Sequence, residues 1–591
     1  MNKTRTIRPE YPRPDFKREK WQSLNGTWDF AFGEGKSEAS LIAGEGYDKE
    51  ILVPFVYQCQ GSGIGDISYH ETVWYKKTLL MDDTALLGGS VLLHFGGIDY
   101  ESAIYVNGQL ALTHKGGYTQ ISCDIAPYLH AGENLLIVKA TDDRQVDHPR
   151  GKQYWKDTPD RCWYTPMSGI WKPVWIEYTG KIYFENVSLL ADIERKEVRL
   201  DAKLNRLFSG AFRYEICYQG NPVKEAEISL RDRQHIHEVI TLVPEDYVDE
   251  VHYWSPEEPN LYEVKLYARP NAPGQEDQVT TYFGMREIVA TETDIYLNHR
   301  PLYQRLILNQ GYFKDSLLTN PSEEAIIHDL ELIKAMGFNG FRMHQKIDEP
   351  LLYYHADRLG LLVWLELPSA YEFNATEITA ITSEWSEIIR QNINHPSIIS
   401  YVPFNESWGV RDICTSKEQQ SFATGIYYLT KALDPTRLIS TNDGWELLDA
   451  TDFYGVHSYF ADMEAYEEKW ADWERAFTRG MTNRPLMSKH MEGVEHPVLM
   501  TEFGGIAFKK DLGSEGAWGY HESALSDSDY ARRMKEQVEA ILLTPYFNGY
   551  CYTQLTDVFQ EVNGLLTMDR EPKIPVEKIA DIFGKDPVSF R

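Results

Sequence analysis

The sequence contains no run of about 18 apolar residues, so no membrane-spanning helix is expected. Its opening, MNKTRTIRPEYPRPDF, lacks the apolar stretch of a secretory signal. Cysteine is scarce: Cys59, Cys123, Cys162, Cys217, Cys414 and Cys551 lie far apart, with no CxxC. This spacing argues against a disulfide framework or a zinc site and leaves reduced, mostly buried thiols. A cytoplasmic location follows as the expectation. Positive charge is in deficit, with 59 Lys and Arg against 89 Asp and Glu, a formal net charge of −30. Such a surface repels phosphate backbones, so nucleic acid is not expected as a partner, nor is a membrane. Repeats, low-complexity tracts, a Gly-rich phosphate loop and a His/Asp/Glu ligand cluster are also missing, and no metal or other cofactor is expected.

What is present is a long chain rich in core-forming residues. The 591 residues are 42% hydrophobic and 13% aromatic, enough for two to four domains. The first third reads as short strands, GTWDFAF, TVWYKKTLL, SVLLHF, SAIYVNGQLAL, NLLIVKAT and WKPVWIEY, with Asn107-Gly108 as a hairpin signal. Regular strands without helices between them predict a β-sandwich over 1–180. EVRLDAKL, FRYEICYQ and NLYEVKLYAR predict an immunoglobulin-like sandwich over 181–285. From 286 to 591 helical patterns alternate with apolar strands. SEEAIIHDLELIKAMG reads as a helix with a Ser322 cap and a Gly337 stop. Eight strand candidates follow one another: LYQRLILN, FNGFRMH, LLVWLEL, IISYVPF, RLISTN, DFYGVHSY, PVLMTEF and GYCYTQL. They predict a (β/α)8 TIM barrel, whose chemistry sits at the C-terminal strand ends.

Two of those ends carry glutamate. Glu406 follows strand four and Glu502 follows strand seven, on opposite walls of an eight-stranded barrel. One such glutamate is ordinarily a surface ion-pair partner; two at these positions are the equipment for glycoside hydrolysis, one protonated and one ionised. Asn405 suits a sugar hydroxyl. Arg342 and Tyr459 are placed to reach Glu502 and keep it charged. Glu406 needs a raised pKa, for which a dry wall near Trp408 is the expected source. Trp408 reads either as a sugar contact or as packing. His344, Glu366 and Trp445 also fall at strand ends, as pocket or supporting residues. Trp163, in RCWYTPMSG, reads as interface packing or as a reach to the barrel mouth.

At this point the chain resembles glycoside hydrolase family 2, the family of β-galactosidases, β-glucuronidases and β-mannosidases. The resemblance spans nearly the whole length: WQSLNGTWDF and SGIWKPVWIE, then WSPEEPNLY and FGMREI, then MGFNGFRMH, INHPSII, FNESWG and TEFGG. It implies a jelly-roll sugar-binding-like domain, an immunoglobulin-like domain and a catalytic barrel. It implies retaining hydrolysis with Glu406 as acid/base and Glu502 as nucleophile, Asn405 beside the acid, and Arg342 and Tyr459 orienting the nucleophile. Assembly as a homo-oligomer through the β domains is a further expectation. The sequence departs from the family pattern at Gln310, where a His is usual, at His457, where glucuronidases often carry Asn, and at Thr553, where a stacking Trp is common. The Asn-x-Lys of glucuronidases falls on Glu561 and Asn563, and nothing places Lys346 or Arg570 as a substitute cation. The expected substrate is therefore an oligosaccharide or glycoside ending in a neutral sugar, foremost a β-galactoside. A β-glucuronidase or a furanoside-cleaving relative is the alternative. A non-catalytic carbohydrate-binding protein is the reading from another class.

Overall fold

Alternating apolar residues build the first domain. In the computed structural model, which describes residues 7–82, 89–243, 251–271, 276–460, 462–470, 476, 484–488, 496–508 and 518–587, these strands form two facing antiparallel sheets. Lys49–Val53, Gly26–Phe32, Thr72–Met81, Gly132–Thr141, Glu101–Val106 and Gln109–Lys115 make a six-stranded sheet. Trp21–Ser23, Val174–Thr179, Ser90–Phe95 and Ile121–Asp124 make a four-stranded one. Trp28, Phe30, Tyr75, Leu93, Phe95, Val138 and Ile176 fill the space between them. Asn107 and Gly108 both take positive φ, 50° and 78°, and turn the hairpin between Glu101–Val106 and Gln109–Lys115.

The immunoglobulin-like domain differs in one respect from the sequence reading. EVRLDAKL and FRYEICYQ belong to one 22-residue strand, Glu197–Tyr218, paired along its length with Asn221–Thr241. No Gly or Pro interrupts Asn205–Arg206–Leu207, so the strand is not ended there. A register slip between Lys203 and Phe208 redirects it instead, from pairing with Phe184–Asp192 to pairing with Tyr262–Pro270. Val198, Leu200, Leu204, Phe212 and Ile216 stay on the buried side throughout.

The barrel has the eight expected strands: Gln304–Asn309, Gly340–Met343, Leu362–Glu366, Ile398–Val402, Leu438–Ile439, Tyr454–His457, Val498–Gly504 and Phe547–Thr553. They form one parallel sheet in the order 5-4-3-2-1-8-7-6. A bridge from Gly444 to Val456 closes the circle between strands five and six. Strand five is shorter than RLISTN and continues, after a break, as Asn442–Asp443. The helix Glu323–Ala335 is capped as expected, Ser322 Oγ accepting from the Ala325 amide at 3.2 Å, and the chain leaves it through Gly337 at φ 90°.

The sandwich is docked on the barrel mouth. The amides of Arg150 and Gly151 both donate to the Ser369 carbonyl at 3.0 Å, and the Tyr371 amide donates to the Val146 carbonyl at 2.7 Å. Gly151 has φ 63°, and a Cβ there would stand 2.3 Å from the Gln345 carbonyl, so only glycine fits. The six cysteines are free. Among the described residues no helix is long and apolar enough to cross a membrane.

Candidate active site

Strand four delivers Asn405 and then turns sharply. Glu406 and Ser407 are both left-handed, at φ 53° and 59°. This costs energy for residues with a Cβ and is held by surrounding bonds. The Glu406 amide donates to the Asp443 carbonyl at 2.8 Å, the Ser407 amide to Asn442 Oδ1 at 3.0 Å, and Ser407 Oγ to Glu446 Oε2 at 2.6 Å. The turn aims the Glu406 carboxyl at the barrel axis.

Glu502 faces it from strand seven. Carboxylate oxygens of Glu406 and Glu502 lie within 4.8 Å of each other. Glu406 keeps 19% of its side chain exposed and Glu502 5%, so the first is met at the mouth and the second deeper in. Tyr459 donates to Glu502 Oε2 at 2.6 Å, and its hydroxyl oxygen lies 3.1 Å from Thr553 Oγ1, which can donate to it; its ring is stacked on Tyr520 with centroids 3.5 Å apart. Arg342 is completely buried and reads four walls at once. Its Nε donates to Glu366 Oε2 at 2.7 Å and its Nη2 to Asn405 Oδ1 at 2.6 Å. Its Nη1 lies 2.8 Å from Asp443 Oδ2 and 3.3 Å from Glu502 Oε1. That last contact is an ion pair without a well-formed hydrogen bond. The Arg342 bond fixes the amide of Asn405 and leaves its Nδ2 without an acceptor among the described residues.

His457 departs most from a simple sugar contact. Its Nδ1 lies 2.8 Å from Glu406 Oε1, and its Nε2 lies 3.0 Å from Asp443 Oδ2 and 3.5 Å from Glu502 Oε1. Burial works against its charge, but the carboxylates of Glu502, Asp443 and Glu406 outweigh burial and raise it to about 10. The expectation that a dry wall near Trp408 raises Glu406 is corrected here. Burial does push the Glu406 carboxyl up, but the His457 hydrogen bond and charge overcome it and hold the group below its ordinary range. Trp408 packs elsewhere, edge to face on Trp163 and Tyr371 and under the Arg411 guanidinium at 4.7 Å.

The remaining predicted residues divide. Trp163 reaches the mouth and donates to the Tyr371 hydroxyl at 3.0 Å. His344 is buried, its Nδ1 3.0 Å from Glu366 Oε2. Trp445 edges against His457 with ring centroids 5.7 Å apart. Gln310, buried just past barrel strand one, donates to the Tyr164 hydroxyl at 2.7 Å and to Gln554 Oε1 at 2.8 Å. Lys346 is committed to Asp348 at 2.6 Å and Arg570 to Asp329 at 3.2 Å.

Sequence reasoning missed Asp443, Tyr164 and Lys152, which come from the continuation of barrel strand five and from the sandwich. Tyr164 donates to Glu561 Oε2, and Asn563 donates to Glu561 Oε1 at 3.0 Å. The Lys152 carbonyl accepts from the Tyr164 amide at 2.8 Å, and its ammonium lies 5.9 Å from the Trp163 ring. Lys152 has no ion pair among the described residues, although Cys162, Tyr371, Glu561 and Glu406 all act on its charge.

Glu406, His457 and Glu502 are close enough to hold a metal ion, but both His457 nitrogens already face carboxylates and Arg342 supplies the balancing charge, so the cluster fits a proton better than a cation. Two other clusters, Asp142–Asp143–His148 and Glu194–Glu287–His299, lie outside the mouth. In the first, Asp142 is paired with Arg150 at 2.8 Å. Two carboxyls this close, one pinned by a cation and a phenol and the other beside an imidazole, can act on one carbon and its leaving group.

Comparison with known proteins agrees over the whole chain. Models described as glycosyl hydrolases family 2, sugar binding domain, as glycosyl hydrolases family 2, and as glycosyl hydrolases family 2, TIM barrel domain, match residues 21–179, 182–286 and 288–583 respectively. A beta-glucuronidase of Sus scrofa is 22% identical over 630 residues, covering 95% of this chain and 90% of that one. A beta-galactosidase of Thermoanaerobacterium thermosulfurigenes is 25% identical over 440 residues, covering 70% and 55%. A longer relative from Formosa agariphila, 24% identical, is spanned over 62% of its length. Among solved structures, a beta-glucuronidase of Bacteroides uniformis superposes with a TM-score of 0.77 at 19% identity, covering 96% of this chain and 70% of that one. A beta-galacturonidase of Eisenbergiella tayi superposes with 0.73 at 20%, covering 98% of each. These structures share the fold. On the three family matches, the chain belongs to glycosyl hydrolase family 2 and is a glycosidase.

Proposed function

We propose that this glycosidase is a retaining exo-enzyme that removes a terminal β-linked uronic acid by double displacement. The observation that carries the mechanism is the separation of Glu406 and Glu502 oxygens, within 4.8 Å. Retaining pairs stand about 5–5.5 Å apart, inverting pairs about 6.5–9.5 Å. Glu502, held by Tyr459 and Arg342, attacks the anomeric carbon as the bond to the leaving oxygen breaks. Glu406 gives that oxygen its proton. Glu406 then takes a proton from water, which attacks the same carbon and returns Glu502 as a carboxylate. Asn405 Nδ2 is left to donate to a sugar hydroxyl. The chain of bonds Gln310–Gln554–Asn563–Glu561–Tyr164 ties the ends of barrel strands one and eight to the sandwich.

The sugar class departs from the neutral β-galactoside expected from sequence. That expectation treated Glu561 as a negative charge facing the substrate. Burial pushes the Glu561 carboxyl up, and both its oxygens accept hydrogen bonds. Lys152 stands beside it as an uncommitted cation and supports a carboxylate-bearing sugar. Most of the relatives above bear uronidase names, which supports the same reading. The β-galactosidase reading is kept second because Glu561 and Asn563 replace the Asn-x-Lys of glucuronidases and a beta-galactosidase is among the relatives. The free cysteines support a cytoplasmic setting. The test is a panel of aryl β-glucuronide, β-galacturonide and β-galactoside, assayed with EDTA present. A uronide should be favoured in kcat/KM by at least about tenfold, about 1.4 kcal/mol. A galactoside preference of that size would restore the second reading.

A further inference from the structure

We infer that His457 is the positioning residue through which the charge on Glu502 sets the proton on Glu406. This rests on the double-displacement reading above. His457 is the single side chain among the described residues that touches both glutamates, with Nδ1 toward Glu406 at 2.8 Å and Nε2 toward Glu502 at 3.5 Å. Its ring is seated rather than loose. Gly444, at φ 111°, packs beneath it so closely that a Cβ there would lie 2.8 Å from Nδ1, and Trp445 closes one edge. The charged groups that face the ring are Glu406 beyond strand four, Asp443 beyond strand five, Glu502 on strand seven and Arg342 on strand two, whose Nη1 is 3.4 Å from Nε2. The charges of Lys152 and His344 also act on Glu406.

With acceptors at both nitrogens, the imidazole carries a proton on each in the free enzyme. Its one positive charge is then divided among three carboxylates. While Glu502 is ionised it takes a share of that charge, so the imidazolium holds Glu406 down less than it does in the glycosyl-enzyme, and a larger fraction of Glu406 carries the proton needed for the leaving oxygen. Once Glu502 is an ester of the sugar, its share passes to Glu406 and Asp443. The imidazolium then holds Glu406 as the carboxylate that takes a proton from water. No proton leaves His457 in either step; the device is electrostatic. In this way one ring serves the opposite protonation demands of the two half-reactions.

The test is the pH profile of kcat/KM for an aryl uronide with a poor leaving group, in the wild type, His457→Asn and His457→Gln. Without the cation Glu406 holds its proton to higher pH, so the basic limb should move up by one pH unit or more in both variants. Asp443→Asn should move it the same way by less. Thermal unfolding of each protein selects the variants that remain folded, and any one of the three suffices. A uniform loss of rate with the limb unmoved would overturn the inference and reduce His457 to packing. The anomeric outcome, followed by NMR on the wild type, is a separate control. Inversion would sink the double-displacement reading, whereas retention with an unmoved limb sinks only the role of His457.

Discussion

Trp163 of the sandwich domain meets Trp408, two residues beyond Glu406, edge to face with ring centroids 5.3 Å apart and planes at 83°. The two rings join the two domains beside the turn that carries Glu406. Trp163→Ala should therefore weaken binding of the part of the substrate beyond the scissile bond. We expect KM for a substrate with an extended aglycone to rise about 5–10-fold, within the 0.5–1.5 kcal/mol of an aromatic contact, and KM for a small aryl glycoside to change little. Steady-state kinetics on the two substrates checks this.

The two glutamates should fail differently. Glu502→Ala should abolish the glycosyl-enzyme with every substrate. Glu406→Ala should lower kcat/KM by about 10²–10⁴-fold for poor leaving groups and far less for a dinitrophenyl leaving group. Azide should then accelerate turnover, because it attacks without a general base. Identical responses of the two variants to leaving group and azide would reverse or cancel the assigned roles.

Lys152→Met keeps the length of the side chain and removes its charge. A charged hydrogen bond contributes about 1.5–3 kcal/mol, so kcat/KM for the preferred uronide should fall by about 10–150-fold. The rate on a neutral β-galactoside should stay within a few-fold. Equal losses on both sugars would mean that Lys152 serves the fold.

Acid stability follows from Glu366. Burial opposes its charge, but Arg342 and His344 outweigh burial and hold it at about 2. An unfolded glutamate titrates near 4.3, so the folded value is depressed. The ionised group then contributes about 3 kcal/mol that is fully present above about pH 4.3 and is lost as pH falls toward 2. Denaturant midpoints measured from pH 6 to 2.5 should fall steeply below pH 4.3 in the wild type. In Glu366→Gln they should start lower and fall less steeply.

Much of this was legible in the sequence for identifiable reasons. Glu406 follows one apolar strand and Glu502 lies two residues before the end of another, and in a closed barrel strand ends converge, so spacing alone brought them together. The Asn107-Gly108 turn and the Ser322 cap rest on local backbone chemistry and survive any tertiary context. The pKa of Glu406 was misjudged because its determinant, His457, is 51 residues away and acts through a contact that no periodicity reports. Lys152 and Tyr164 were missed for a related cause. They lie in a sandwich loop with no strand or helix pattern, and their roles exist only across a domain boundary. The long strand Glu197–Tyr218 was divided because a bulge leaves no sequence mark as clear as Gly or Pro.

The clamp between Gly151 and the loops after barrel strands two and three has a consequence for biosynthesis. A ribosome releases the sandwich first and the eighth barrel strand last, so for most of translation one wall of the pocket waits for the other. Glu406 and Glu502 come to face one another only when the barrel closes, and Lys152, Trp163 and Tyr164 join them only when the sandwich seats. Catalytic activity in a growing culture is thus a readout of completed inter-domain assembly. A substitution at Gly151, about 250 residues from Glu406 along the chain, should appear as a slow-maturing enzyme whose separate domains are sound.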